Sequence, residues 1–179
     1  LDAAGFDPQA EVDADFAEQR RGSLRGRPIG WLAYNTARIE AGTPMYHIDF
    51  GPDSLAHETG IIEQAVSFEK GCYLGQEIVA RMQSLGHPRR ILTGLKLFGE
   101  DMPVAGAEVY APDETGQRAD ERVIGAVTSS TLSPMLGSRA IGFAVMKWGK
   151  HEPGTSVFFR CEGGTIPGEL HGLSFLGGA

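Results

Sequence analysis

Apolar and polar positions follow two rhythms along this chain, and the change falls near residue 87. Up to that point the repeats are those of short helices. In IGWLAYNTARIE, residues 29–40, Ile29, Leu32, Ala33, Thr36, Ala37 and Ile39 recur at helical spacing, and Ala41-Gly42 followed by Pro44 ends the run. YHIDF, 46–50, alternates over so few positions that a short strand and a loop both fit. IIEQAVSF, 61–68, reads as an extended segment, and VDADFAEQRRG, 12–22, as a helix end or loop. In GQEIVARMQSLG, 75–86, Ile78, Val79, Met82 and Leu85 fall on one helical face. Gly86 suits the helix end, and Pro88 bars continuation.

From residue 89 the pattern is that of strands. RRILTGLKLF, AEVYA, RVIGAVTSSTLS, RAIGFAVMK, TSVFFRC and ELHGLSF are six runs rich in β-branched and aromatic residues, separated by Gly, Pro, Asp and Ser clusters. Short strands at this spacing predict a small antiparallel barrel or sandwich. The class is therefore α+β, with a boundary at Gly86-His87-Pro88 that divides the chain into 1–86 and 87–179.

Composition narrows the function classes. With 41% apolar and 22% charged residues the balance is that of a globular protein. No apolar run approaches the ~18–20 residues that span a membrane, so no membrane partner is expected. The formal charge of −7 argues against a partner with a phosphate backbone. Cys72 and Cys161 form neither a zinc spacing nor a disulfide framework, which points to a reducing, cytoplasmic setting. His47, Asp49, His57 and Glu58 lie close together but match no metal-ligand pattern, so no metal is expected. The chain starts at Leu1 rather than Met, and we expect a piece of a longer protein.

Three stretches bear on chemistry. Cys72 sits in EKGCYLGQE, 69–77, just ahead of the second predicted helix. A thiol acts as nucleophile or ligand in its thiolate form, which a helix N-terminus or a nearby cation stabilises. Lys70 supplies the cation, and Gly71 and Gly75 would let the backbone turn and leave the sulfur accessible. The alternative is a buried structural cysteine, which composition alone favours. Cys161, after Val-Phe-Phe in a strand, reads as core. In ARIEAGTP, 37–44, Glu40 could accept two N–H bonds from an aminopyrimidine edge; the plainer reading is a surface ion pair with Arg38, and the residues alone favour it. Arg81, His87, Arg89 and Arg90 make a basic cluster that suits a phosphate or polycarboxylate tail, or equally a solvated turn.

Taken together these motifs say more. K-G-C-Y-x-G-Q-E at 70–77, followed by Val79-Ala80-Arg81 and by the Gly-His-Pro-Arg-Arg turn into the β region, resembles the signature of YgfZ-type folate-binding proteins. These are relatives of the glycine-cleavage T-protein (aminomethyltransferase), and Arg38 to Pro44 looks like the R-x-E-A-G segment shared by that superfamily. The resemblance implies the end of a T-protein-like folate-binding domain followed by a β-barrel, with tetrahydrofolate as cofactor. Glu40 then matches the carboxylate that binds the pterin ring, with Arg38 in the same motif, and Arg89 and Arg90 are candidates for the glutamate tail. Lys70, Gly71, Cys72, Tyr73, Gly75, Gln76 and Glu77 match the signature, with Cys72 as its functional cysteine and Lys70 beside it. It further implies an accessory role in iron–sulfur cluster assembly or repair, linked to tRNA modification, with iron–sulfur proteins or assembly factors as partners. One thiolate cannot furnish the four ligands common in such a site, so transient or shared contact with a cluster is expected. A folate-dependent aminomethyltransferase is the alternative, and an interaction module with a decayed folate site is a third reading. The resemblance covers only the later part of a family member, so the aspartate that T-proteins use in catalysis lies outside this sequence.

Overall fold

The structure, a computed structural model, describes residues 28–99, 101–116 and 119–176; the 12–22 stretch lies outside the described residues. Two units meet in the chain between Tyr34 and Asn35. Of the first, residues 28–34 are described: the Tyr34 amide donates to the Gly30 carbonyl (3.1 Å), and the rings of Trp31 and Tyr34 lie 5.8 Å apart. Helix α1 (Trp31–Glu40) begins here and continues into the second unit.

The second unit is built on six strands: β1 (Arg90–Leu97), β2 (Glu108–Pro112), β3 (Ala119–Ser133), β4 (Arg139–Lys147), β5 (Ser156–Cys161) and β6 (Gly164–His171). All pairs are antiparallel, and the order β1-β4-β3-β2-β5-β6 closes into a barrel. Each of the six runs expected to form strands contributes one. The last is corrected in register: its strand starts at Gly164, five residues before ELHGLSF, and stops at His171. Gly164, Pro167 and Gly168 resemble turn residues, yet Gly168 is required inside the strand. A Cβ there would come within 2.4 Å of the Lys96 carbonyl oxygen.

Successive side chains of a strand point to opposite faces, and in β1 and β4 both faces are buried. Leu95, Leu97, Ala140, Ala144 and Met146 join Val109, Val127, Phe159 and Leu170 in one apolar cluster, which fills the barrel. The opposite face of the same strands, Leu92, Ile141 and Phe143, packs with Ile39 of α1 and Phe175. The outer face of β1 and β4 is thus covered by the end of α1 and by the segment after β6. Gly94 permits that crossing, since a Cβ would meet the Gly172 carbonyl oxygen at 2.3 Å.

Between α1 and the barrel lie short elements. YHIDF is a turn closed by one bridge, Tyr46 to Phe50, with His47 at φ 66°. The extended segment expected over 61–68 is instead a helical turn, α2 (Ile62–Ala65), in which Gln64 and Ala65 both donate to the Ile61 carbonyl at 3.0 Å. Glu63, Gln64 and Ala65 are good helix formers, and they outweigh the β preference of the two isoleucines. Helix α3 (Gln76–Leu85) forms as expected, with Val79 and Met82 half-buried but Ile78 61% exposed. Gly86 caps it through a bond to Met82 O (3.2 Å) from an extended rather than left-handed backbone. The apolar stripe expected on α1 is also corrected. Ile29 and Leu32 are exposed, and the buried residues are Arg38, Ile39 and Glu40, because the helix is held by its last turn. Among the described residues no helix is long and apolar enough to cross a membrane.

Candidate functional site

The last turn of α1 carries two buried charges that do not pair with each other. Glu40 is 7% exposed. Its Oε1 accepts from the Ser133 hydroxyl (2.5 Å) and from the Met135 amide (3.2 Å). The turn after it depends on Gly42, at φ 75°, where a Cβ would stand 2.7 Å from the Ser174 backbone. The Phe175 amide then donates to the Glu40 carbonyl (3.2 Å). A carboxylate at a helix C-terminus faces the negative end of the helix dipole, so these donors offset an unfavourable position. Both side-chain bonds end on Oε1, which leaves Oε2 without a hydrogen bond among the described residues. That oxygen fits an N–H of a heterocycle. Of the two oxygens expected from sequence to meet a heterocycle, Oε1 already accepts from two protein donors.

Arg38 is the companion charge, and the surface ion pair with Glu40 is not what forms. Its Nη1 meets Asp49 Oδ2 at 2.5 Å with both side chains buried, and its Nε donates to Asn35 Oδ1 (2.9 Å). Asp49 is saturated: Oδ2 also accepts from the Met45 amide (2.8 Å), and Oδ1 from the hydroxyls of Thr128 (2.7 Å) and Ser129 (2.6 Å). Two consecutive strand residues reach one acceptor because the β3–β4 register shifts between Val127 and Ser129, a bulge that turns Thr128 to its neighbour's side. Asp49, Thr128, Ser129 and Ser133 were not singled out from sequence for this role. The available signal was the hydroxyl-dense run TSSTLS, 128–133, in an otherwise apolar strand. Arg38 Nη2 is buried without a partner among the described residues, while the guanidinium carbon lies 5.8 Å from the Phe143 ring centre.

The segment 70–77 forms a second cluster. Cys72 is exposed, which excludes the buried structural cysteine that composition favoured. Lys70 Nζ lies 4.9 Å from the ring centre of Tyr73, so its cation is drawn to that ring. Gln76 Oε1 accepts from the Tyr73 amide (3.1 Å), which fixes the entry to α3. Gly75 takes up the left-handed backbone, φ 88°, as a turn there requires. Gly71 does not: its φ is not positive and a Cβ would meet open space. Glu77 is exposed in the first turn of α3. Among the described residues no hydrogen bond or ion pair joins this segment to Glu40.

The basic cluster disperses. Arg90 Nε pairs with Glu58 (3.2 Å), and the His87 ring stacks on Trp148 at 5.1 Å. Arg81 and Arg89 are exposed. No group of three or more His, Cys, Asp or Glu among the described residues is placed to hold a metal ion. Cys161 is half-buried at the end of β5, and burial, helped by the Asp101 carboxylate, pushes its thiol above the usual value.

Comparison with known proteins agrees with this architecture. Residues 90–176 match the family described as the glycine cleavage T-protein C-terminal barrel domain. The chain is 31% identical over 151 residues to an aminomethyltransferase of Chlorobium chlorochromatii, covering 84% of this chain and 38% of the relative. To an aminomethyltransferase of Halalkalibacterium halodurans it is 35% identical over 130 residues, 73% of this chain and 33% of the relative. The crystal structure of the glycine cleavage system aminomethyltransferase T from Bartonella henselae superposes with a TM-score of 0.66 at 27% identity, covering 80% of this chain and 38% of that one. The chain thus spans about two-fifths of the length of such relatives. A closed barrel of the matching family, continued upstream by similarity that takes in α1 and α3, places the chain in the T-protein-like superfamily.

Proposed function

We propose that this chain is part of a tetrahydrofolate-binding protein whose exposed cysteine, Cys72, serves iron–sulfur cluster assembly or repair. The observation that carries the reading is the placement of Cys72 in open solvent at the entry to α3, within the K-G-C-Y-x-G-Q-E signature. Glu40 supports the folate part, being a buried carboxylate with one oxygen that has no hydrogen bond among the described residues. Arg38 belongs to the same reading as a cofactor-binding residue, with its Nη1 held by Asp49. Arg89 and Arg90 belong to the reading as the place of the folate glutamate tail, with Arg90 released from Glu58 to take it. Residues 1–86 are the end of the folate-binding domain and 87–179 the barrel domain. The partners are iron–sulfur proteins or their assembly factors, in the cytoplasm.

The test uses the protein expressed from its complete gene, wild type and Cys72→Ser, in cells lacking their own copy. Activity of an iron–sulfur enzyme that depends on that copy is measured. Wild type restores it and the serine variant does not; equal restoration by both would remove the thiol from the role. A second reading, a folate-dependent aminomethyltransferase, is favoured by the relatives' identity. Folate-dependent methylamine transfer that survives Cys72→Ser would select it.

A further inference from the structure

We propose that the barrel carries a second ligand site, for a small molecule with two or more carboxylate or phosphate groups, in a cleft where Lys147, Trp148 and Lys150 meet. The cleft has a volume of about 520 Å³, within the range of small-ligand sites. It lies between the start of β3 and the turn after β4, and its floor includes the buried Ile124. No carboxylate appears among its described lining residues, although the chain as a whole carries −7. Cations gathered in one concavity against the overall charge concentrate a field that attracts anions.

The wall is built rather than loose. Lys147 Nζ donates to the Val123 carbonyl (2.7 Å), which holds the ammonium at the cleft and leaves two of its N–H groups for a ligand. The Lys150 amide closes a turn onto Lys147 O (3.0 Å), with Gly149 at φ 76°, so two lysines three residues apart face the same hollow. Trp148 is fixed by its amide bond to Arg89 O (2.9 Å) and by the rings of His87 and His151, at 5.1 and 4.6 Å. His151 Nδ1, beside that ring, is buried without a partner among the described residues. A single anion would compensate one of the cations. A compact polyanion with a carbon or phosphoanhydride frame over Ile124 compensates both lysines at once.

This site is separate from Glu40. Met146 pairs with Gly125 at the cleft end of the β3–β4 ladder, and Arg139 with Ser133, the partner of Glu40, at the other. At about 3.3 Å per residue, roughly 30 Å of strand lies between Ile124 and Ser133.

Emission of Trp148, read in a Trp31→Phe background, tests the proposal. Citrate and pyrophosphate are titrated separately at ionic strength held constant with sodium chloride. A saturable change with citrate alone identifies a polycarboxylate site, with pyrophosphate alone a phosphate site, and with both a general polyanion site. The double variant Lys147→Gln, Lys150→Gln should bind about ten-fold more weakly or worse, as expected for the loss of charge-assisted contacts. Lys150→Gln alone, at an exposed side chain with no hydrogen bond among the described residues, should also weaken binding if the double variant does not fold. No saturation beyond the chloride control, or unchanged affinity in these variants, would overturn the proposal.

Discussion

Cys72 and Cys161 sit in environments that a labelling experiment can tell apart. Cys72 is exposed, while Cys161 is half-buried with its thiol pushed up by burial and by Asp101. Only thiolate is alkylated, and a raised value keeps Cys161 protonated until the pH passes above the ordinary thiol range. With iodoacetamide at neutral pH, mass spectrometry should therefore find Cys72 modified well before Cys161, the gap narrowing as the pH rises. Equal rates at neutral pH would remove the case for a reactive Cys72. At this scale the sequence was informative where chemistry is local. The motif 70–77 and the carboxylate of Glu40 stand out as strings. Asp49 did not, because its partners Arg38, Thr128 and Ser129 come from 11 to 80 residues away and pair only once the barrel has closed.

Elements tell a similar story. Six strands and two of the helices were legible from periodicity, since an apolar face repeats every two or every 3.6 residues whatever packs on it. What was not legible is where the chain crosses itself. Gly94 looks like a weak point in β1, yet it is where the segment after β6 passes over the strand. Gly94→Ala would put a methyl group 2.3 Å from the Gly172 carbonyl oxygen and 3.0 Å from Phe175. We expect a loss of about 1–3 kcal/mol, typical of overpacking, measured by urea denaturation. Stability within about 0.5 kcal/mol of wild type, the range of surface substitutions, would show that the crossing is loose. The strand β6 was misplaced for the same reason: Gly164, Pro167 and Gly168 signal a turn locally and serve a close strand contact globally.

For the whole molecule, the compact unit begins at Asn35 rather than at the barrel. Residues 35–60 supply Ile39 to the outer apolar cluster and Glu40 and Asp49 to the hydroxyls of β3. A chain of residues 87–179 alone would expose Leu92, Ile141 and Phe143 and leave Thr128, Ser129 and Ser133 without these acceptors. We expect it to unfold several kcal/mol more easily than residues 35–179, from the lost burial of Ile39, roughly 1.5–3 kcal/mol, and the lost hydrogen bonds, about 0.5–1.5 kcal/mol each. Superimposable denaturation curves for the two would show that the barrel stands alone.

The hydrogen-bonded cluster around Glu40 also sets an order in time. Its members lie at residue 40, at 133 and 135, and at 175, with the Phe175 amide bonded back to Glu40. Contacts so distant in sequence form late, because long loops must be closed before they are rewarded. A chain growing from its N-terminus can coil α1 early, but the carboxylate has no hydroxyl to meet until β3 is made. The turn that carries it is not clamped until the segment after β6 has left the ribosome. Until then Glu40 is solvated, and its set of hydrogen bonds is complete only once synthesis has passed residue 175.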